Sequence, residues 1–422
     1  MGKRAHAPRP RPAPEEATPP SPPLPEHPTL ADALIATARQ ELALRGARAL
    51  SFRRQAAAAG VTLATLSYHL GSKAQILRTL VESERRADRL RHQVWLQRLA
   101  GLARFDPAAM AATIELYLDH AAADERSGGA RLTSLIWADL VLRAGVDADI
   151  APLLQPWLEE RRAFWAQLFE GRIDAARTWA DVVMAYVTDE GVHSLAIGDR
   201  ADYRMLRRMA IERLSQRLDP DARCGLADAD TFQALVRHLD PALGLAGADA
   251  GSALLLPGRR RDIAAAACAV ILDEGAEALT HRAVGERIAM PASSVAYHFR
   301  SGHDLLWAGQ QMVYLVAQGR FPAPGEDSIQ RRYLATMRGT LSISLAAARD
   351  PSLAPQAIDL RRLRGENLFG VLHAQGHARL DGLDAQTAAL MGLGATALAA
   401  AHAAAGIVPE ALLDWLTERS KN

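Results

Sequence analysis

The sequence predicts an all-α protein in which two three-helix units, each followed by a larger helical region, share one polypeptide. Three observations carry that reading. Aromatic residues make up only 5% of the 422, alanine is abundant, and half the residues are apolar, a composition suited to packed helices. Apolar residues recur at helical spacing between recognisable caps. Finally, a shift of 229 positions lays Gly46–Lys73, GARALSFRRQAAAAGVTLATLSYHLGSK, on Gly275–Gly302, GAEALTHRAVGERIAMPASSVAYHFRSG, without a gap. Internal repeats of this kind decide the architecture of a chain.

Each element follows from local signals. Residues 1–28 hold ten of the 22 prolines together with Lys3, Arg4, Arg9 and Arg11. Such a stretch cannot bury apolar surface and is expected to be a disordered tail, or a basic arm tracking DNA. Thr29 and Asp32 open a helix on which Leu34, Ile35, Ala38, Leu42 and Leu44 share a face, with Arg45-Gly46 as its stop. Ser51 is placed to cap a second helix, Phe52–Ala59. Gly60-Val61 turns the chain, Thr62 caps a third helix through Leu70, and Ser72 caps a long helix from Lys73. A short helix, a tight turn and another short helix form a helix-turn-helix. In the second unit a helix over Arg259–Asp273 precedes the repeat, and Thr280 and Ser301 stand where Ser51 and Ser72 do.

The expected divisions are 1–28 tail, 29–82 first helix-turn-helix, 83–218 first helical region, 219–257 linker with a short helix near Thr231–Leu239, 258–308 second helix-turn-helix, and 309–422 second helical region.

Composition and motifs exclude much. Forty-nine basic against 48 acidic residues leave a net charge of +1, so nucleic-acid binding has to come from local patches. Two cysteines, Cys224 and Cys268, are too few for a disulfide scaffold or a four-thiolate site. The N-terminus carries no signal-peptide pattern, and a cytoplasmic location is expected. Thr387–Val408 approaches the length of a membrane span, but it is mostly Ala and Gly with His402 inside, and a buried helix packing closely on a partner fits better. Within it Gly392-Leu-Gly394-Ala-Thr-Ala397 resembles a dinucleotide fingerprint, yet the strand that must precede one is missing. No GxSxG, HExxH or paired CxxC occurs, and the His373/His377 pair has no evident third ligand. Neither catalysis nor a cofactor is expected.

The motifs Leu66-Ser-Tyr68-His69-Leu-Gly-Ser72-Lys73 and Val295-Ala-Tyr297-His298-Phe-Arg-Ser301 resemble the helix-turn-helix signature of the tetracycline-repressor family of bacterial transcription factors. The likeness covers about fifty residues in each unit. It implies an operator-binding, non-enzymatic regulator, a repressor released by a small apolar effector, with helical effector and dimerisation domains behind each head.

A helix entering the major groove needs small residues at its leading end, so that its backbone approaches base edges. Thr62, Ala64, Thr65 and Ser67 meet that need in the first unit, and Ala292, Ser293 and Ser294 in the second. Tyr68, His69 and Lys73, like Tyr297 and His298, stand at the far end, where they reach phosphate or else pack the small core. With the helix-opening Ser51 and Thr280 these form the expected DNA-contacting set. Ser67 and Ala296 replace an aromatic that the family often carries, and Gly302 replaces Lys73. The second unit is therefore expected to bind DNA more weakly, and an interaction module that has lost DNA binding stays open as an alternative.

Five of seven tryptophans fall in the first helical region. Trp137, Trp165, Trp179 and His193 are the candidate effector contacts, with Asp139, Gln167 and Thr188 nearby; ordinary core packing is the competing explanation. The Ala/Gly-rich helices Thr178–Ile197 and Thr387–Ile407 occupy the family's dimerisation face. Two such faces in one chain suggest internal pairing of the units, against a homodimer with four heads.

Overall fold

A computed structural model describes residues 30–219, 228–243, 256, 258–322, 329–374, 376 and 379–401. The tail, the Thr29 cap, Cys224, His377, His402 and the rest of the chain after 401 lie outside the described residues. Among those described, every regular element is helical. The first half contains α1 (Leu30–Ala49), α2 (Phe52–Ala59), α3 (Leu63–Leu70), α4 (Lys73–Arg98), α5 (Pro107–Ala122), α6 (Arg131–Ala144), α7 (Ala151–Phe169), α8 (Ala176–Ile197) and α9 (Ala201–Ser215). Then come α10 (Ala229–His238), α11 (Arg259–Glu274), α12 (His281–Arg287), α13 (Ala292–His298), α14 (Gly302–Ala317), α15 (Ile329–Arg349), α16 (Ala354–Arg362), α17 (Glu366–Ala374) and α18 (Gly382–Ala401).

Two triplets, α1–α3 and α11–α13, share their connection geometry. The stop expected at Gly46 is instead a kink: the helix resumes to Ala49 while Gly46 takes φ 76°, ψ 166°. Gly275, 229 residues later, takes φ 91°, ψ 160°. At the tight turns Gly60 adopts φ 66° and Ala289 φ 50°. In each, the amide after the turn closes onto the helix it leaves, Val61 N–H to Ala56 O at 2.9 Å and Met290 N–H to Gly285 O at 2.8 Å. The caps are less uniform than expected. Thr62, Thr280, Ser72 and Ser301 accept from their helix amides, but Ser51 holds the N-cap position without a capping bond, and Pro291 precedes α13.

The positions 82/83 and 308/309 fall inside α4 and α14, so each helical triplet runs on into the helices that follow it. Nor are the two helical regions equivalent, since α16 and α17 are only nine residues each. The second region has only a small cluster of its own, Leu372, Leu380 and Ala385. Met337, Leu341, Leu345 and Ala348 of α15, with Leu383, Leu390, Leu393 and Leu398 of α18, belong to the main core built on α4–α9. The other side of α15, Ile343 and Ala346, joins the smaller core of the second triplet. One helix is thus buried on two faces by two cores.

Small residues make this possible. A Cβ on Gly394 would sit 1.8 Å from the carbonyl oxygen of Ala185, and one on Gly392 2.4 Å from the Tyr333 hydroxyl. The Ala/Gly stripe lets α18 press its backbone onto α8. Its glycines serve packing inside a helix, and no described helix is long and apolar enough to cross a membrane.

Charge is buried at the same junction. Glu190 of α8 takes two bonds from Arg361, each 2.8 Å, and one of 2.8 Å from the Tyr203 hydroxyl. The neighbouring Asp189 takes two from Arg364 at 2.7 and 2.9 Å. Burial pushes both carboxyls up; at Glu190, Arg361 more than offsets it and holds the acid below its ordinary range, whereas Asp189 stays above. Arg361→Met is expected to cost about 3–5 kcal/mol of unfolding free energy in urea titration, because it strands a buried carboxylate. A loss under 1 kcal/mol would show that solvent reaches Glu190. Ala289→Gly should gain about 0.5–1 kcal/mol by removing a left-handed alanine, and Gly60→Ala should lose a similar amount.

Candidate DNA interface and interior cavity

The sequence surrounding α3 leaves its outer face free. Leu66 alone of that helix is fully buried, anchoring it to α1 and α2, while Ala64, Ser67, Tyr68 and His69 are exposed and Thr65 half-buried. Tyr68 is 86% exposed and Tyr297 81%, so neither packs the small core. Each meets the neighbouring histidine edge-on, with ring centroids 5.3 Å apart. Lys73 opens α4 beside them, exposed to solvent. Thr62 accepts from Thr65 N–H at 3.1 Å and shares a 2.9 Å hydroxyl contact with it, which fixes the leading end of the helix. Arg53 and Arg78 are exposed, but Arg54 is held by Glu41 at 2.6 Å.

In the second triplet Ala292, Ser293 and Tyr297 are exposed, with Ser294 and His298 half-buried beside them. His281 bonds the Phe299 carbonyl at 2.7 Å and so pins the end of α13. Ser51 and Thr280 mark the starts of α2 and α12, one half-buried and the other exposed.

Beside the tryptophan cluster lies a partly open cavity of about 30 Å³, lined by Trp137, Trp165, Tyr117, Met184, Thr188 and Arg161 among others. A smaller one adjoins it across Tyr117 and Arg161, bordered by Asp88, His92 and His120. Space of this size admits a few water molecules, whereas a benzene ring needs on the order of 150 Å³. Trp165 and Trp137 line the cavity, whereas Trp179 and His193 do not. Trp179 is buried in the packing of α8. His193 lies at the charged junction, where Arg364 donates to its Nε2 at 3.3 Å, leaving Nδ1–H directed at Ser344 Oγ, 3.4 Å away. Burial, with Arg364 and Arg361, lowers its pKa well below the usual range, so it is a neutral structural group. Gln167 is on the surface, and Asp139 serves a junction near α1.

Sequence reasoning missed the groups that give the cavity its charge. Arg161 lies 4.0 Å from the Trp137 ring centroid and donates to Asp88 Oδ2 at 2.7 Å, an oxygen that also accepts from Trp157 Nε1–H at 2.7 Å. Burial works against the Asp88 carboxylate, but Arg161 and His92 hold its pKa far below the ordinary value. The available signal is Trp157-x₃-Arg161-x₃-Trp165, an arginine amid a buried helix face. Since Asp88 belongs to α4, the helix that begins at Lys73, cavity and first triplet sit on one rod; fifteen residues at 1.5 Å separate Lys73 from Asp88 by ~22 Å. Among the described residues no group of three or more His, Cys, Asp or Glu could hold a metal.

His92 stacks on Phe164 at 4.1 Å, with Nε2 3.9 Å from Asp88 Oδ1. Burial, countered by Asp88 but reinforced by Arg161 and Arg91, lowers its pKa to about 4. In the unfolded chain it protonates near 6.5. Between those values the unfolded state binds more protons, so stability falls as pH drops through that window. His92→Phe should remove on the order of 2 kcal/mol of the loss between pH 7 and pH 5, read from urea midpoints. An unchanged slope would mean that His92 is solvated.

Residues 34–80, which span most of α1, all of α2 and α3 and the first turns of α4, match the family model described as bacterial regulatory proteins, tetR family. No curated protein matches the chain. The family match supports a DNA-binding transcriptional regulator with an N-terminal helix-turn-helix, a class that is in general not enzymatic.

Proposed function

We propose that the chain is a ligand-responsive transcriptional repressor that grips operator DNA with two helix-turn-helix heads carried on one polypeptide. The observation behind this reading is the pair of projecting Tyr–His groups, one at the end of each recognition helix, with tyrosines more than four-fifths exposed. Standing out from the end of α3 and of α13, each tyrosine presents its hydroxyl to whatever approaches that face. Phosphate and sugar edges are the surface that most protein–DNA contacts use, and the family match over residues 34–80 supports DNA binding.

The heads are unequal. Lys73, Arg53 and Arg78 surround the first, while Gly302 stands where the second would carry its lysine. The first head supplies most of the affinity in this reading. Strain at Ala289 and the missing cation also favour a second reading, in which α11–α13 has given up DNA and serves the assembly. The effector is small and apolar and enters beside Trp137 and Trp165, which requires the surrounding helices to part; it shifts the balance between two arrangements by its differential affinity for them. The units pair internally, and an imperfect palindrome is the matching operator, because the two recognition surfaces differ.

Electrophoretic mobility shift on DNA flanking the gene tests the central reading. Lys73→Ala should weaken binding to every sequence and reduce the slope of log K against log salt by about 0.9. If Tyr297→Ala abolished binding and Lys73→Ala did not change it, the roles of the heads would be reversed. Light scattering at micromolar concentration should give a mass near 45.5 kDa. Twice that mass, persisting on dilution, would replace the internal pair by a dimer of chains. Titration with aromatic acids, alcohols and lipid-like compounds should quench tryptophan fluorescence and release DNA together; release without quenching would move the effector site elsewhere.

A further inference from the structure

Arg349, the last residue of α15, has a side chain only 5% exposed and reaches three separate parts of the molecule. Its Nε donates to the Ala43 carbonyl at 2.8 Å and one Nη reaches the Leu42 carbonyl at 3.5 Å, both near the end of α1 in the first head. Both Nη groups lie 3.1 Å from Asp139 Oδ1 on α6. One of them also donates to Glu277, in the turn between α11 and α12 of the second triplet. Asp139 in turn accepts from Ala47 N–H at 3.0 Å and pairs with Arg143 at 3.3 Å. Gly46 closes the cluster, since a Cβ there would stand 2.7 Å from Asp139, 3.0 Å from Glu277 and 3.2 Å from Arg349.

We propose that Arg349 is the residue that sets the spacing between the two DNA-reading heads, and through it the spacing of the half-sites that the protein accepts. This rests on the two-head reading given above. The planar guanidinium offers five donors in a fixed fork, and here it directs them at carbonyls of α1, the Asp139 carboxylate of α6 and the Glu277 carboxylate of the second triplet. Such a clamp fixes distance and angle together, which a point charge on a flexible stem does not. In DNA the two are coupled: each added base pair moves a half-site by ~3.4 Å and by about a tenth of a turn. A rigid pair of heads therefore rejects a wrong spacing, whereas a loosened pair adapts to it.

The full-length chain is first used to select its site from a random duplex library, and the selected site is then remade with one to four base pairs added or removed between half-sites. Wild type should lose at least tenfold in affinity for a change of one or two base pairs. Arg349→Met should flatten that dependence to within about threefold while leaving affinity for an isolated half-site unchanged. Arg349→Lys should fall between them, since a lysine keeps the charge but not the fork. Should the methionine variant fail to fold, Glu277→Ala, at a partly exposed position, removes the acceptor and so severs only the arm to the second triplet, and should relax spacing to the same degree. Folded variants that keep the wild-type spacing profile would overturn the role of Arg349. Selection of a single half-site by wild type, or of no site at all, would instead overturn the two-head reading on which it stands.

Discussion

Everything in this molecule is arranged around two consecutive carboxylates, Asp189 and Glu190, buried without exposure in the middle of α8. A carboxylate removed from water needs cations and donors held at hydrogen-bond distance. The tyrosines Tyr186 and Tyr203 supply part of that need from the first half of the chain. The cations, Arg361 and Arg364, come from the second half, more than 170 residues away in sequence. Once α16 is docked to satisfy them, α18 can lie along α8 at glycine distance and α15 is left between the two cores. The choice of two acids in a helix that would otherwise be largely apolar dictates which face meets which.

A second charged group, smaller in extent, ties the first head to the interior. Arg39 of α1 pairs with Glu84 of α4, and Glu84 accepts from Thr133 of α6 at 2.7 Å. One turn further along α4, Asp88 binds Arg161 and Trp157 of α7. The long helix is therefore gripped on successive turns by both the head and the aromatic cavity. Motion of α7 cannot leave α4 unmoved, because the ions that join them are desolvated and strongly directional. Apolar packing alone would allow the helices to slide.

Much of the fold can be read in the sequence because it depends on local chemistry. The boundaries of α2, α3 and α4 follow from Ser51, Gly60, Thr62, Gly71 and Ser72, and the 229-residue repeat locates α11–α13. The kink at Gly46 reads as a stop because a positive φ ends most helices. Here the next turn finds Asp139 to bind its amide. Of the interior site, the tryptophans are visible as apolar bulk, but sequence spacing does not say which face of α8 meets the cavity. Trp179 and His193 are misplaced together for that reason. The clasp of Arg349 leaves no trace, since its partners Ala43, Asp139 and Glu277 are distant from it and from one another. The unequal sizes of the two helical regions are equally hidden, because a core shared between them erases the boundary that composition would mark.

That shared core bears on how the chain is made. The main hydrophobic cluster begins at Ala38 and is not complete until Ala401. At ~5–20 residues per second, a ribosome needs on the order of ten to forty seconds to travel from the end of α9 to that last residue. Throughout this interval α8 has emerged with its two acids unneutralised and its small-residue groove open to any other strand or helix. A domain with a core of its own folds while the rest of the chain is still being synthesised. Here the main core is completed only when α15 and α18 arrive, so the last-made helices are needed to close the first-made ones.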